Sequence, residues 1–200
     1  MSTWVIVIII IAAVAAVVLI ALLVWEQMQR RRLRDKFGPE YERTVKDQES
    51  PRAADRELAA REKRHEKFDI KPLSPSAHER YTHQWSLIQV QFVDRPSAAV
   101  AEADRVLVEL MAERGYPTEG YEQQLADLSV RHSRTLKHYR AAHETMQGQE
   151  ETQKSTEELR HAMVRYRIVF EDLLTDGADD GRAGDHRDRK ARTDASNGGN

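Results

Sequence analysis

Two hundred residues carry 31 basic and 33 acidic side chains, a formal net charge of −2, and no cysteine. A balance this even leaves no electrostatic footprint for nucleic acid. The lack of cysteine removes both thiolate metal ligands and a thiol nucleophile.

The first predicted element is the run Trp4 to Trp25, in which no residue is charged and fifteen are Val, Ile or Leu. As a helix it reaches roughly 33 Å, enough to cross a ~30 Å hydrocarbon core. Its aliphatic side chains favour insertion by roughly 5–9 kcal/mol in total. Trp4 and Trp25 close the two ends, where indole rings prefer the headgroup interface. A cleaved signal peptide needs a basic leader and a shorter apolar core, whereas Met1-Ser2-Thr3 has no Lys or Arg. A buried core helix conflicts with so long an apolar run at a terminus. Residues 1–25 therefore read as a retained transmembrane anchor. Arg30, Arg31, Arg32, Arg34 and Lys36 follow it at once. By the positive-inside rule this basic cluster puts the N-terminus outside and the remaining chain in the cytoplasm, a single-pass protein of the cell membrane. The cluster can also attract anionic lipid, at about 1 kcal/mol per residue near the surface.

Residues 26–73 read as a juxtamembrane basic segment and a charged spacer. The anchor helix should continue to about residue 36. Phe37-Gly38-Pro39 then breaks it, since Gly suits a helix end and Pro a first turn. Helix should resume from Pro39 to about Lys46, and Ser50-Pro51 reads as the next cap and first turn. The run Arg52 to Lys67 holds strong helix formers but one large aliphatic residue, Leu58. It reads as a solvated helical spacer with no face to bury. A coiled-coil dimer would need an a/d seam that is missing here.

Residues 70–75 form a linker with two prolines, in which Ser74 can cap and Pro75 can start a helix. From there to residue 174 the pattern is that of a small helical bundle. Tyr81, Trp85, Ile88 and Phe92 share one helical face. After Asp94-Arg95-Pro96, a broad stripe runs through Ala99, Val100, Ala103, Val106, Leu107, Leu110 and Met111 to a stop at Gly115-Tyr116-Pro117. Tyr121, Leu125 and Leu128 continue the pattern. Asp127-Leu128-Ser129 reads either as a turn of one long helix or as a break, with Ser129 capping a helix that carries His132, Leu136, Tyr139 and His143. Residues 147–154 read as a polar loop. Ser155-Thr156-Glu157-Glu158 matches a capping box, and Leu159, Met163, Tyr166, Phe170 and Leu173 give the last apolar face. Residues 175–200 lack any large apolar side chain and should be disordered. The expected fold class is thus all-α: one transmembrane helix, a charged helical spacer, a small cytoplasmic bundle over 74–174 and a disordered tail.

Motifs that carry chemistry are sparse. There is no Gly-rich phosphate loop, and no His pair has the spacing of a zincin helix. Glu158-x-x-His161 matches half of a di-iron carboxylate bundle, yet its only other copy, Glu62-x-x-His65, lies in the spacer. Glu79 and His83 lie four apart on one helix face, a spacing that usually gives only a weak contact. Tyr81, Trp85, Phe92, Tyr139, Tyr166 and Phe170 make the bundle aromatic. Core packing accounts for their spacing, and a ligand cleft or binding groove is the sharper reading. Arg140, Arg160, Arg165 and Arg167, near these rings, can pair with an acidic partner or face water.

The stretches Phe37 to Val45 (FGPEYERTV), Trp85 to Pro96 (WSLIQVQFVDRP) and Ser155 to Leu174 (STEELRHAMVRYRIVFEDLL) resemble an uncharacterised family of bacterial single-pass membrane proteins. The resemblance implies an N-terminally anchored protein of the bacterial inner membrane. It brings no activity, substrate or catalytic residue.

Three functions are weighed. The layout fits a membrane-tethered interaction or scaffold protein, because tethering raises the effective concentration of membrane partners. A small-ligand or sensing domain with an aromatic pocket is the alternative, and a di-metal carboxylate enzyme the third. The expected partners are membrane lipid through the anchor and another membrane or cytoplasmic protein. Neither a cofactor, a catalytic residue nor a nucleic acid is expected.

Overall fold

The computed structural model describes residues 3–147 and 154–175. Among these the regular structure is all helix, with no strand. The helices are α1 (Thr3–Phe37), α2 (Pro39–Asp47), α3 (Pro51–His65), α4 (Pro75–Asp94), α5 (Pro96–Glu113), α6 (Tyr121–Leu128), α7 (Leu136–Gln147) and α8 (residues 156–175). The expected disordered tail over 175–200 and nearly all of the polar loop at 147–154 lie outside the described residues. The chain divides into two compact units, Met1–Ala60 and Arg61–Asn200.

In the first unit, α1 carries the expected apolar run without interruption into the basic cluster. It is long and apolar enough to span a membrane, and none of that apolar window is buried. Trp4 and Trp25 are both exposed, as are the aliphatic side chains described between them. An apolar surface this continuous belongs against another phase. Gly38 ends α1 at φ +48, a conformation that side chains resist, and Pro39 takes the first turn of α2.

The segment expected to be a solvated spacer buries a face. Ala54 and Leu58 are fully buried, four residues apart on α3, and Glu62 continues the line. Leu33 and Phe37 of α1 and Tyr41 of α2 are buried too. One alanine and one leucine per two turns suffice, because polar contacts supply the rest. Arg52 Nε donates to Glu26 Oε1 at 2.9 Å, and Arg30 donates to Glu26 at 2.7 Å and to Asp55 at 3.1 Å. The Tyr41 hydroxyl donates to the other Asp55 oxygen at 3.0 Å. Successive pairs 26–52 and 30–55 set α3 alongside the end of α1 in the same direction. Leu58→Ala should therefore cost about 2–5 kcal/mol, the range for a truncated core leucine. Urea unfolding of the full chain in mild detergent measures it; a change within about 0.5 kcal/mol, typical of surface sites, would restore the solvated-spacer reading.

The second unit holds the bundle. It comprises Arg61–Asn200. Ser74 caps α4 by accepting from the Ala77 N–H at 3.1 Å, and Pro75 opens the helix. The expected α5 stripe, Ala99 to Met111, is buried in full. Helices α4 and α5 pack on each other, and α7 packs on α5. The linker before α4 is strapped to the bundle. Ile70 and Leu73 pack against the core, and the Lys71 N–H donates to the Arg114 carbonyl at 2.9 Å. Gly115, at φ +92, lies so close that a Cβ would stand 2.3 Å from the Asp69 carbonyl oxygen.

The chain does break after α6, and residues 129–135 are non-helical, with turns on both sides of His132. Ser129 does not cap a following helix. Its hydroxyl donates back to the Ala126 carbonyl at 2.6 Å, inside α6. The next helix starts only at Leu136, so His132 sits in the turn and does not share α7 with His138 and His143. The capping box at α8 forms as expected: Glu158 Oε2 accepts from the Ser155 N–H at 2.9 Å, and Ser155 Oγ accepts from the Glu158 N–H at 3.2 Å. These bonds hold the Glu158 carboxyl below its ordinary range.

Candidate functional site

The aromatic residues come together, but as a packed core. Tyr81, Trp85, Tyr139, Tyr166 and Phe170 are buried, and Phe92 is half-buried at the margin of the same cluster. Trp85 and Phe170 stack with ring centres 4.3 Å apart, and Tyr139 lies 6.1 Å from Tyr166. Of the three tyrosines in this set, two find a partner for the hydroxyl. Tyr81 donates to Glu113 at 2.9 Å and Tyr139 to Gln124 at 3.0 Å. The Tyr166 hydroxyl faces Asp104 without closing a hydrogen bond.

That hydroxyl belongs to a polar patch inside the aromatic core. Asp104 Oδ1, His143 Nδ1, the Tyr121 hydroxyl and the Tyr166 hydroxyl are buried without partners. Asp104 and His143 approach to 3.9 Å, and the Tyr121 ring stacks on His143 at 3.8 Å. The set has both donors and acceptors, the chemistry that a buried water bridges. Burial above all pushes the Tyr121 phenol up to about 12. Burial first, and the Asp104 carboxylate second, push Tyr139 and Tyr166 up as well. A folded value above the unfolded one, about 10, gives stability that is complete below that pH and is lost as pH rises past it. Tyr166→Phe should thus leave stability at pH 7 unchanged or raise it by about 1 kcal/mol, and should extend the alkaline limit of the fold. Melting curves at pH 7 and near pH 10.5 test both; a loss above about 1 kcal/mol at pH 7 would show that the hydroxyl is bonded.

The half-motif Glu158-x-x-His161 does not gather ligands. Glu158 is held in its cap, and His161 lies on the exposed side of α8, 3.4 Å from Glu157. Among the described residues no three His, Asp or Glu side chains converge to hold a metal. Of the arginines near the rings, Arg167 pairs with Glu171 at 2.7 Å, Arg160 lies 3.7 Å from Glu157 and Arg165 reaches the Ala141 carbonyl at 3.5 Å.

Two polar arrangements had no warning in the sequence. His132 is buried between the Tyr116 hydroxyl, 3.1 Å from Nε2, and Asp172, 2.8 Å from Nδ1. Thr135 also donates to Asp172, at 2.6 Å. The chain joins residues up to 56 positions apart at this point, so spacing alone could not reveal it. Asp127 is likewise buried, between Arg64 Nε at 3.1 Å and the Gln123 amide at 2.8 Å. Both are closed sets in which each charge has a partner, the condition for a charge to be tolerated inside.

Two arginines of the basic cluster are paired. Arg30 is shared by Glu26 and Asp55, and Arg34 pairs with Glu42 while its guanidinium lies 5.6 Å over the Tyr41 ring. Arg31 is exposed, and among the described residues no carboxylate pairs with it. Two clefts open along this face of α1, each of about 390 Å³. One is lined by Gln27, Arg30, Arg31, Arg34 and Tyr41, the other by Leu23, Val24, Gln27, Met28 and Arg31.

Set against known proteins, the chain matches no family model, no curated protein and no solved structure.

Proposed function

We propose that this chain is a membrane-tethered interaction or scaffold protein. The observation that carries the reading is the packing of the aromatic residues: the rings that would line a ligand cleft are buried in one core, with Trp85 stacked on Phe170. A core packed in this way favours the outer surface as the working part. On α4, Leu87, Val90 and Val93 recur every three residues and stay exposed, Val93 at 81%. They offer a protein partner an apolar face.

In this reading α1 crosses the bacterial inner membrane once, with its N-terminus outside and the bundle in the cytoplasm. The one-sided Lys and Arg flank supports that orientation, and the exposed apolar length of α1 supports the crossing. Lipid meets the anchor, and a second membrane or cytoplasmic protein meets the bundle. Tethering then confines the search for a partner to the membrane face.

Proximity labelling in the native cell, with the label on the C-terminus, tests the role. The proposal expects a small set of membrane or membrane-associated proteins enriched over a label carried by the anchor alone. Identical sets for the two would contradict it. A second reading rests on the unpaired polar atoms around Asp104, which suit a small polar ligand as well as water.

A further inference from the structure

The two clefts on α1 share Gln27 and Arg31, so they form one strip along the helix. Its lower part is Leu23, Val24 and Met28; its upper part is Arg30, Arg31, Arg34 and Tyr41. Positions 23, 27, 31 and 34 fall on one helical face. The strip runs for roughly 16 Å along the axis, starting inside the apolar run and ending beyond it. An apolar trough that turns cationic at the end of a membrane span has the polarity of a glycerophospholipid, with acyl chain below and phosphate above.

We infer that this strip is a stoichiometric binding site for an anionic glycerophospholipid. Arg31 supplies the attraction. It lines both clefts, and among the described residues no carboxylate neutralises it. Arg30 and Arg34 spend their charge on Glu26, Asp55 and Glu42. They remain planar donors fixed in place, a fit for phosphate oxygens. The fixing comes from α2 and α3: Asp55 holds both Arg30 and Tyr41, and Glu42 holds Arg34. This explains why a short amphipathic helix folds back directly after the basic cluster. Leu23, Val24 and Met28 select against a free phosphate, which has nothing to place on them.

The inference rests on the anchor reading, so its test separates the two. The full chain in mild detergent is mixed with phosphatidylglycerol or phosphatidylcholine, and bound lipid is counted by native mass spectrometry. The wild type should retain one phosphatidylglycerol at concentrations where phosphatidylcholine is lost. Arg31→Gln should weaken that retention about fivefold, the worth of one Lys or Arg near an anionic surface. Arg32→Gln, the same charge change in the same cluster but outside both clefts, should weaken it less than twofold. Equal retention of the two lipids, an unchanged Arg31→Gln, or an equal loss in Arg32→Gln would each overturn the site. Flotation of all three proteins with neutral phosphatidylcholine vesicles reads the anchor independently; failure to float would remove the anchor and the site together.

Discussion

Trp85→Ala should cost the bundle about 3–5 kcal/mol, the range for an aromatic residue deleted from a core. The indole is buried on α4 and stacks on Phe170 of α8, so its loss empties the contact that joins the two. Stacked pairs add about 0.5–1.5 kcal/mol beyond the buried area. Domains of this size hold about 5–15 kcal/mol in total, so the variant should melt far earlier or fail to fold. Trp85→Phe keeps a ring against Phe170 and should recover more than half of the loss. Thermal unfolding of the full chain, followed by circular dichroism, measures both. If Trp85→Ala melts within two degrees of the wild type, the packed core is wrong and an open aromatic cleft returns.

The second large effect belongs to the anchor. The double substitution Val14→Arg, Val18→Arg places two charges near the centre of the apolar run. Each costs about 2.5–3.5 kcal/mol in a helix at mid-membrane. Together they offset most of the roughly 5–9 kcal/mol gained by the aliphatic residues. The variant should leave the membrane fraction and no longer float with vesicles, while the bundle, fed from its own core, keeps its melting transition. A variant that still floats like the wild type would mean that something other than α1 attaches the protein.

Helix ends and core faces were open to sequence reasoning where a single element carries its own signal. Ser74-Pro75 and Ser155 to Glu158 state their caps within four residues, and both form. The α5 stripe holds seven apolar positions at helical spacing, and all seven are buried. The failures share a different cause. The α3 face was missed because Ala54 counts as a helix former and not as a core residue until its neighbours are known. Glu26, Asp55 and Glu42 looked like ordinary charged positions, yet they hold the arginines of the basic cluster from other helices or other turns. His132 was placed on a helix because its spacing to Leu136 is helical; the Ser129 hydroxyl, bonded back to Ala126, and the buried bonds to Tyr116 and Asp172 keep it in a turn instead. The aromatic residues stand at helical spacing in the sequence, but spacing cannot say whether rings stack or stand apart around a cleft.

The same division applies to the site on α1. The charge of the cluster is plain in the sequence, but its distribution is not. Only the fold shows that Arg30 and Arg34 are engaged and that Arg31 is left to act. A lipid site built this way and an interaction surface on the bundle are compatible, since they lie in separate compact units.

The central claim is that α1 holds the bundle at the cytoplasmic face of the membrane. A reporter that is active only in the cytoplasm, fused after residue 175, tests it most directly. The account predicts full activity there and none for the same reporter fused before Trp4. Silence after residue 175, with an active N-terminal fusion, would contradict the orientation and with it the proposed cytoplasmic scaffold.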